Sequence, residues 1–525
     1  LEEFGRVANG RLVVGAREYD AVVMPSEMET VTDSTLRLLL DFSEVGGRLY
    51  SLRSAPALVN GRPTDSPAAL ERSVGWTRVA DCKELVEKVR KHVIPYVSFP
   101  DGSALPGGII WRRAVCDDGV IWFFCNPWQE TIECDVRLPA AVLRELDTGT
   151  AEIRDLPSDP HDGWTTAPLR LLPRGHRLLL GQTEEQAATW TPQAPIEAAP
   201  RESPATVAVP LALIGIERVT DNLLFVDYCD VEAYGASHTD INTAAADTLN
   251  WRWQGFDGNP WHKQFRRTVI EQRSVPYTEV LVRYRFTVAK GLADNTRNSL
   301  AVCVERPWLY TVSLNGITLD ADAAEKWFDE DMRRLSVGHA VKEGENELLL
   351  RAQPFHVLCE IMPVYVCGDF GLTAAARGYD VGLASPLGLG DWTQQGAPFY
   401  PGVVRYRYAF TLAQDAARLC VRVPEWRGAV AVVYLDGEEL GPTPHPPFEV
   451  LSSSRVPAGS HELAIDVYGN MKNMMGSHHH DNLPLRWTYE CAPDHMPPGA
   501  DYQLQPTGLL TEPQVAARAA PCPTT

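Results

Sequence analysis

Asp227, Asp230 and Glu232 stand close together, flanked by Tyr228 and Tyr234. Positions 230 and 232 have strand parity and share a face. Paired carboxylates are the groups that hydrolyse glycosides, about 5–5.5 Å apart for retention and about 6.5–9.5 Å for inversion. The same side chains suit ion pairs with Arg283 or Arg285. With 68 acidic residues in the chain, chance pairs are plentiful, so ion pairing is the plainer reading.

A second composition points to sugar. Residues 251–267 hold Trp251, Trp253, Asp257, Asn259, Trp261, His262 and Gln264. Flat rings stack on the C–H side of a pyranose while fixed polar groups read its hydroxyls. Such rings fold onto their own domain, dock a neighbour or meet free sugar, and the segment reads as a loop excursion. Asp391, Trp392, Phe399 and Tyr400 form a second set. His478, His479 and His480 precede Asp481. Adjacent strand residues point to opposite faces, so only a loop would turn all three onto one ion; hydrogen bonding in a domain contact is the alternative. The substrate-binding candidates are therefore Asp227, Trp251, Trp253, Asn259, Trp261, His262, Asp391, Trp392, Tyr400, His478 and His479. No cofactor is expected, with calcium left open. No phosphate-binding glycine loop and no Gly-x-Ser-x-Gly elbow is present.

The elements behind these residues repeat. Val282-Arg283-Tyr284-Arg285-Phe286-Thr287-Val288 answers Val404-Arg405-Tyr406-Arg407-Tyr408, and Leu300 to Trp308 answers Leu419 to Trp426. Asn315-Gly316 answers Asp436-Gly437, and Glu347-Leu348 answers Glu462-Leu463. Matched order at nearly constant spacing is an internal repeat of domain size. Short apolar runs and Asn-Gly or Asp-Gly turns predict hairpins, hence two tandem β-sandwiches of jelly-roll type, with Tyr284 matching Tyr406 and Gly316 matching Gly437.

Upstream, residues 19–24 read as a buried strand, residues 32–46 as a capped helix and residues 48–52 as a returning strand, a β-α-β unit. Asp81-x-x-Glu84 resembles a capping box opening a helix with Leu85, Val86, Val89 and Val93 on its apolar side. From about residue 103 the period becomes two, with a hairpin across Asp117-Asp118-Gly119. Residues 184–210 read as a linker, and the tail beyond residue 510 as disordered.

The net charge of −20 supplies no basic patch for nucleic acid or an anionic membrane. The eleven cysteines include no Cys-x-x-Cys pair. Cys303, Cys359, Cys367 and Cys420 sit among strand apolars and read as reduced, buried thiols, which places the chain in the cytoplasm rather than outside the cell. No apolar run reaches the length of a membrane span. Starting at Leu1 without a signal-like segment, the chain reads as lacking its true N-terminus.

Residues 19–52 and 111–127, together with Gly258-Asn259-Pro260-Trp261, Val366-Cys367-Gly368-Asp369-Phe370-Gly371 and Gln395-Gly396-Ala397-Pro398-Phe399-Tyr400, resemble stretches of large bacterial glycoside hydrolases. So do residues 473–480. The order of these motifs is most similar to the α-L-rhamnosidase-like type, whose sandwiches are shared with β-galactosidase and β-glucuronidase enzymes. The resemblance implies a multidomain, mainly β chain: a partial α/β domain of glutamine-amidotransferase or flavodoxin-like type (1–102), a small antiparallel β-sandwich (103–183), a linker (184–210), two galactose-binding-like jelly rolls (211–375 and 376–510) and a tail (511–525). It also implies that the catalytic carboxylates lie in a barrel missing from these residues, so the fragment itself is expected to be inactive. Its partners would be carbohydrate and that barrel, with no nucleic acid or membrane. Pro25-Ser26-Glu27-Met28 supplies no cysteine where an active amidotransferase needs its nucleophile. Two rival readings are a self-sufficient glycan-active hydrolase or lyase with a site at a domain junction, and a structural or adhesive β protein.

Overall fold

A computed structural model describes residues 3–92, 96–99, 108–148, 153–189, 206–259, 279–292, 294–356, 358–476, 478–479 and 492–518. The fold is mainly β and multidomain. It divides into two compact units, Leu1–Ala198 and Ala199–Thr525.

In the first unit the strands Ala21–Met24, Arg48–Ser51 and Trp76–Arg78 pair in parallel. The helix Asp33–Glu44 joins the first two, as a β-α-β unit requires. Thr32 caps it by accepting from the Thr35 amide, and Leu36, Leu39 and Phe42, one turn apart, are buried beside Leu49. Asp81 likewise caps the helix Cys82–Arg90, but no side chain of that helix is buried, and Val86, expected on its apolar side, is exposed. The sandwich that follows has one sheet ordered Ile110–Cys116, Gly119–Cys125, His176–Gln182, Val142–Leu146 and Ile153–Asp155. Its other sheet is Ile132–Leu138, Trp164–Leu171 and Asp159–His161. The hairpin register closes Cys116 on Gly119, and Trp122, Phe124, Val136 and Leu169 fill the core.

The second unit holds both copies of the repeat. In the first sandwich one sheet runs Ala236–Asn242, Tyr228–Ala233, Val280–Val288, Gly344–Ala352, Thr311–Leu314 and Ile317–Thr318. The facing sheet runs Asn222–Val226, Val364–Gly368, Ala301–Glu305, Met332–Ser336 and Glu325–Lys326. In the second sandwich the order Ala212–Arg218, Val403–Leu412, Gly459–Tyr468, Val430–Leu435 and Glu438–Pro442 reproduces the first sheet from its second strand onward. Thr206–Val209, Gln514–Arg518, Arg418–Arg422 and Glu449–Leu451 reproduce the other. Tyr284 and Tyr406 are both fully enclosed, but the register does not match them: Tyr284 faces Leu348, while Leu463, which takes the place of Leu348 beside the second hairpin, faces Tyr408, so Tyr408 stands where Tyr284 does. Both hairpins turn through left-handed pairs, Asn315 and Gly316 at φ +51° and +80°, Asp436 and Gly437 at +51° and +86°, the conformation that selects Asn-Gly and Asp-Gly.

The copies are nested rather than tandem. Ala212–Arg218 pairs with Val403–Leu412, and Thr206–Val209 with Gln514–Arg518, so the second sandwich brackets the first. The stretch expected to be a linker therefore ends in a strand, and it begins with the helix Glu184–Thr189. The tail expected to be disordered contributes a strand between two others. Gly371–Ala374 and Tyr379–Gly382, on either side of the expected boundary at 375, both belong to the first sandwich. Long-range pairing of this kind leaves no trace in local periodicity. Cys303, Cys359 and Cys367 are buried free thiols, whereas Cys420 is only half-buried because its strand alternates towards the surface. Among the described residues no helix is long and apolar enough to cross a membrane.

Candidate functional site

Most of the rings singled out in the sequence are core. Trp251 lies not in a loop but on the helix Thr243–Trp253, which Asn242 caps by accepting from the Ala244 amide. Its ring is fully enclosed, edge-on to Phe256 and Phe355, and its Nε1 donates to Asp247. Trp253 packs half-buried against the same core. Asn259 is buried and donates to Asp247 at 2.7 Å and to Glu360 at 3.1 Å. Trp392 is enclosed in the second sandwich with its Nε1 2.7 Å from the Tyr406 hydroxyl. Asp391 caps the turn beside it, and buried Tyr400 bonds Thr220 and the Val403 carbonyl. Trp251, Trp392 and Tyr400 present no stacking face: a large ring in a polar segment was in each case covering its own sandwich. Trp261, His262 and His480 lie outside the described residues.

The Asp247 carboxylate, accepting from Trp251, the Ile361 amide and Asn259, is the hub of a buried acidic network. Burial pushes it up to about 7, with the nearby Glu360 charge adding to the rise. Glu305 is pushed up to about 7 by burial and then by Glu360. Arg306 stands between these acids, 3.4 Å from Glu360 and 2.7 Å from Asp331.

The sequence candidates that do converge are Asp227, His478 and His479. Asp227 is 1% exposed. Its Oδ2 accepts from His479 Nε2 at 3.1 Å and from Asn242 at 3.3 Å, while Oδ1 has no hydrogen-bond partner among the described residues. The Tyr228 and Tyr502 rings stand 5.8 and 4.9 Å from His479. Burial, with the Asp227 charge behind it, drives both phenols far above their usual range. His478 is packed among Phe225, Phe399 and Tyr502. Burial pulls it down to about 4, so its ring is neutral and Nε2 donates to the Asn473 carbonyl at 2.6 Å. A carboxylate holding an imidazole in this way fixes its tautomer and orientation. Among the described residues no three His, Cys, Asp or Glu side chains come together to hold a metal.

Tyr228 and Tyr502 also wall a cleft of about 120 Å³, together with Asp230, Asp240, Arg285 and Arg377. The strand register brings these groups together. Tyr228–Ala233 lies between Ala236–Asn242 and Val280–Val288, and a bulge at Asp230 shifts the pairing with the former, the kind of irregularity that re-aims a side chain. Asp230 then accepts from the Asp240 amide at 2.9 Å and pairs with Arg285 at 2.6 Å. Burial works against the Arg285 charge, but Asp230, Glu347 and Glu345 together raise it above the usual arginine range. Arg377 pairs with Asp240, and Arg283 with Glu232. The acids at 230 and 232 thus meet the arginines that their strand parity suggested. Arg377, Asp240 and Tyr502 escaped the sequence reading, since nothing in their local pattern marks them as neighbours of residue 230.

No protein-family profile and no curated protein matches the chain. Among solved structures it is similar to a rhamnosidase from Novosphingobium sp. PP1Y, with a TM-score of 0.42 and 14% identity over 98% of this chain and 35% of that one. It is also similar to an FMN-binding β-glucuronidase from Facaelibacterium prausnitzii L2-6, with a TM-score of 0.21 and 13% identity over 48% of this chain and 38% of that one. A β-D-mannosidase from Dictyoglomus thermophilum gives a TM-score of 0.18 and 11% identity over 49% of this chain and 31% of that one. The chain therefore spans well under half the length of each.

Proposed function

We propose that this chain is the carbohydrate-recognising and scaffolding portion of a glycoside hydrolase of α-L-rhamnosidase-like type, with bond cleavage carried out by residues outside it. The ordered sequence motifs support the family. The observation that carries the recognition role is the cleft, where the guanidinium donors of Arg285 and Arg377 alternate with the carboxylate acceptors of Asp230 and Asp240 beside two tyrosine rings. Each sugar hydroxyl both donates and accepts, and so matches alternating partners. Because both arginines are already neutralised, the cleft suits an uncharged sugar better than an anion. The buried Asp227–His479 pair fixes the wall behind it.

The test is calorimetric titration of the chain with L-rhamnose, D-galactose and D-glucuronate, repeated on Arg285→Met. A neutral sugar should bind, glucuronate should bind less well, and the variant should lose the signal. Equal heats for protein and variant would dismiss the cleft. Hydrolysis of aryl rhamnosides by the chain alone would dismiss the scaffolding role.

A further inference from the structure

The two sandwiches treat one equivalent ring differently. Trp426, after the strand Arg418–Arg422, is met edge-on by Phe448 at 5.5 Å. Its counterpart Trp308, after Ala301–Glu305, is 46% exposed, with the Arg333 guanidinium over the ring, 5.4 Å from its centroid. The backbone beneath Trp308 is tightly held. Arg306 adopts a left-handed φ of +45° and opens the 3-10 turn Pro307–Leu309. Its side chain bonds Asp331 at 2.7 and 3.0 Å and the Leu358 carbonyl at 3.0 Å. A non-glycine residue in that conformation persists only where its surroundings enforce it. The neighbouring Tyr310 is pinned by its hydroxyl to the Glu360 carbonyl at 3.1 Å.

Beside the ring is an open hollow of about 480 Å³ walled by Trp308, Tyr310, Thr318, Asp320 and Asp322. Asp320 accepts from the amides of Asp322 and Ala323 at 3.0 and 3.3 Å, which fixes the acidic turn. We infer that this hollow is a second carbohydrate subsite, at the opposite edge of the sheet from the cleft, taking a neutral pyranose with its C–H face on Trp308 and its hydroxyls on Asp320, Asp322 and Thr318. The chemistry selects this occupant. One rigid ring bordered by hydrogen-bond acceptors offers far less than the roughly 1,000 Å² of a specific protein interface. Residues 318–334 hold six carboxylates against Lys326, Arg333 and Arg334, an excess that repels an anionic glycan.

The subsite rests on the carbohydrate reading but stands apart from the cleft, and the experiment separates them. The full chain, Trp308→Ala, Trp308→Phe, Arg285→Met and, as an exposed-tryptophan control, Trp128→Ala are applied to an array of neutral oligosaccharides and their uronate-containing counterparts. Neutral oligosaccharides should bind, and Trp308→Ala should weaken them about two- to twelvefold, the worth of one aromatic contact. Trp308→Phe should restore much of the loss and Trp128→Ala should change nothing. Binding unaltered by Trp308→Ala but lost in Arg285→Met would overturn the subsite alone. Loss in Trp308→Ala with none in Arg285→Met would uphold it and dismiss the cleft. An array on which the wild-type chain binds nothing, or binds uronates best, would overturn both.

Discussion

His479 Nε2 lies 3.1 Å from Asp227 Oδ2, joining residues 252 positions apart at the back of the cleft. Both side chains are nearly inaccessible, at 6% and 2% exposure. Removing one partner therefore strands a buried polar or charged group. Asp227→Ala should lower unfolding stability by about 3–5 kcal/mol, and Asp227→Asn by less. Asp369→Ala, which breaks the exposed pair with Arg218, should cost under about 1 kcal/mol. Urea denaturation of the three variants decides this; similar midpoints throughout would refute the structural importance of the buried pair.

The acidic network gives a pH dependence of definite sign. Asp247 and Glu305 are raised to about 7 from ordinary values of 3.8 and 4.5. The folded chain therefore binds more protons than the unfolded one between about pH 4 and 7. The stability these carboxyls contribute is full below that window and is lost as pH rises through it. Asp247→Asn and Glu305→Gln stay neutral, so their stability relative to wild type should climb from pH 4 to pH 7 and then level off. Unfolding curves at intervals of one pH unit would show a flat difference if both carboxylates were ionised throughout.

Trp392 and Tyr406 distinguish core from ligand site. Tyr406→Phe leaves the buried Trp392 Nε1 without its acceptor and should cost about 1–3 kcal/mol. Trp392→Ala should cost about 3–5 kcal/mol. Sugar binding by either variant, measured where it is still folded, should match wild type. A selective loss of binding with the melting temperature intact would return these residues to the list of sugar contacts.

Thiol reactivity should follow burial. Cys82 and Cys116 are exposed, and Cys303 and Cys367 face each other at 3.4 Å inside the first sandwich. Native-state alkylation followed by peptide mass mapping should mark Cys82 and Cys116 within minutes and leave Cys303, Cys359 and Cys367 unmodified until denaturant is added. Early labelling of the buried three would show that the first sandwich opens far more readily than its packing implies.

What could be read before folding follows the range of the interaction responsible. Thr32 and Asp81 announce their helices because a cap acts within three residues. Asn315-Gly316 and Asp436-Gly437 announce hairpins because φ > 0 selects those residue types. The Asp227–His479 contact was foreshadowed only as two separate candidates, with no signal that they meet. Trp251 and Trp392 read in sequence as sugar platforms because a polar neighbourhood hides the inward direction of a ring. Trp308 is legible in the sequence only as a landmark matching Trp426; that Arg333 lies over the one ring and Phe448 meets the other edge-on depends on groups distant in the chain.

Nesting also has a bearing on synthesis. Emerging from the ribosome, the strands Thr206–Val209 and Ala212–Arg218 precede the whole of the first sandwich, while their partners Val403–Leu412 and Gln514–Arg518 are made much later. Domains generally fold as units while the chain is still growing, so the inner sandwich can close on its own as its last strands appear. The outer one waits with two unpaired edges until residues 514–518 have been translated. That interval is when a chaperone has most to protect, and a ribosome stalled between residues 403 and 514 would release a chain with its inner domain folded and its outer domain open.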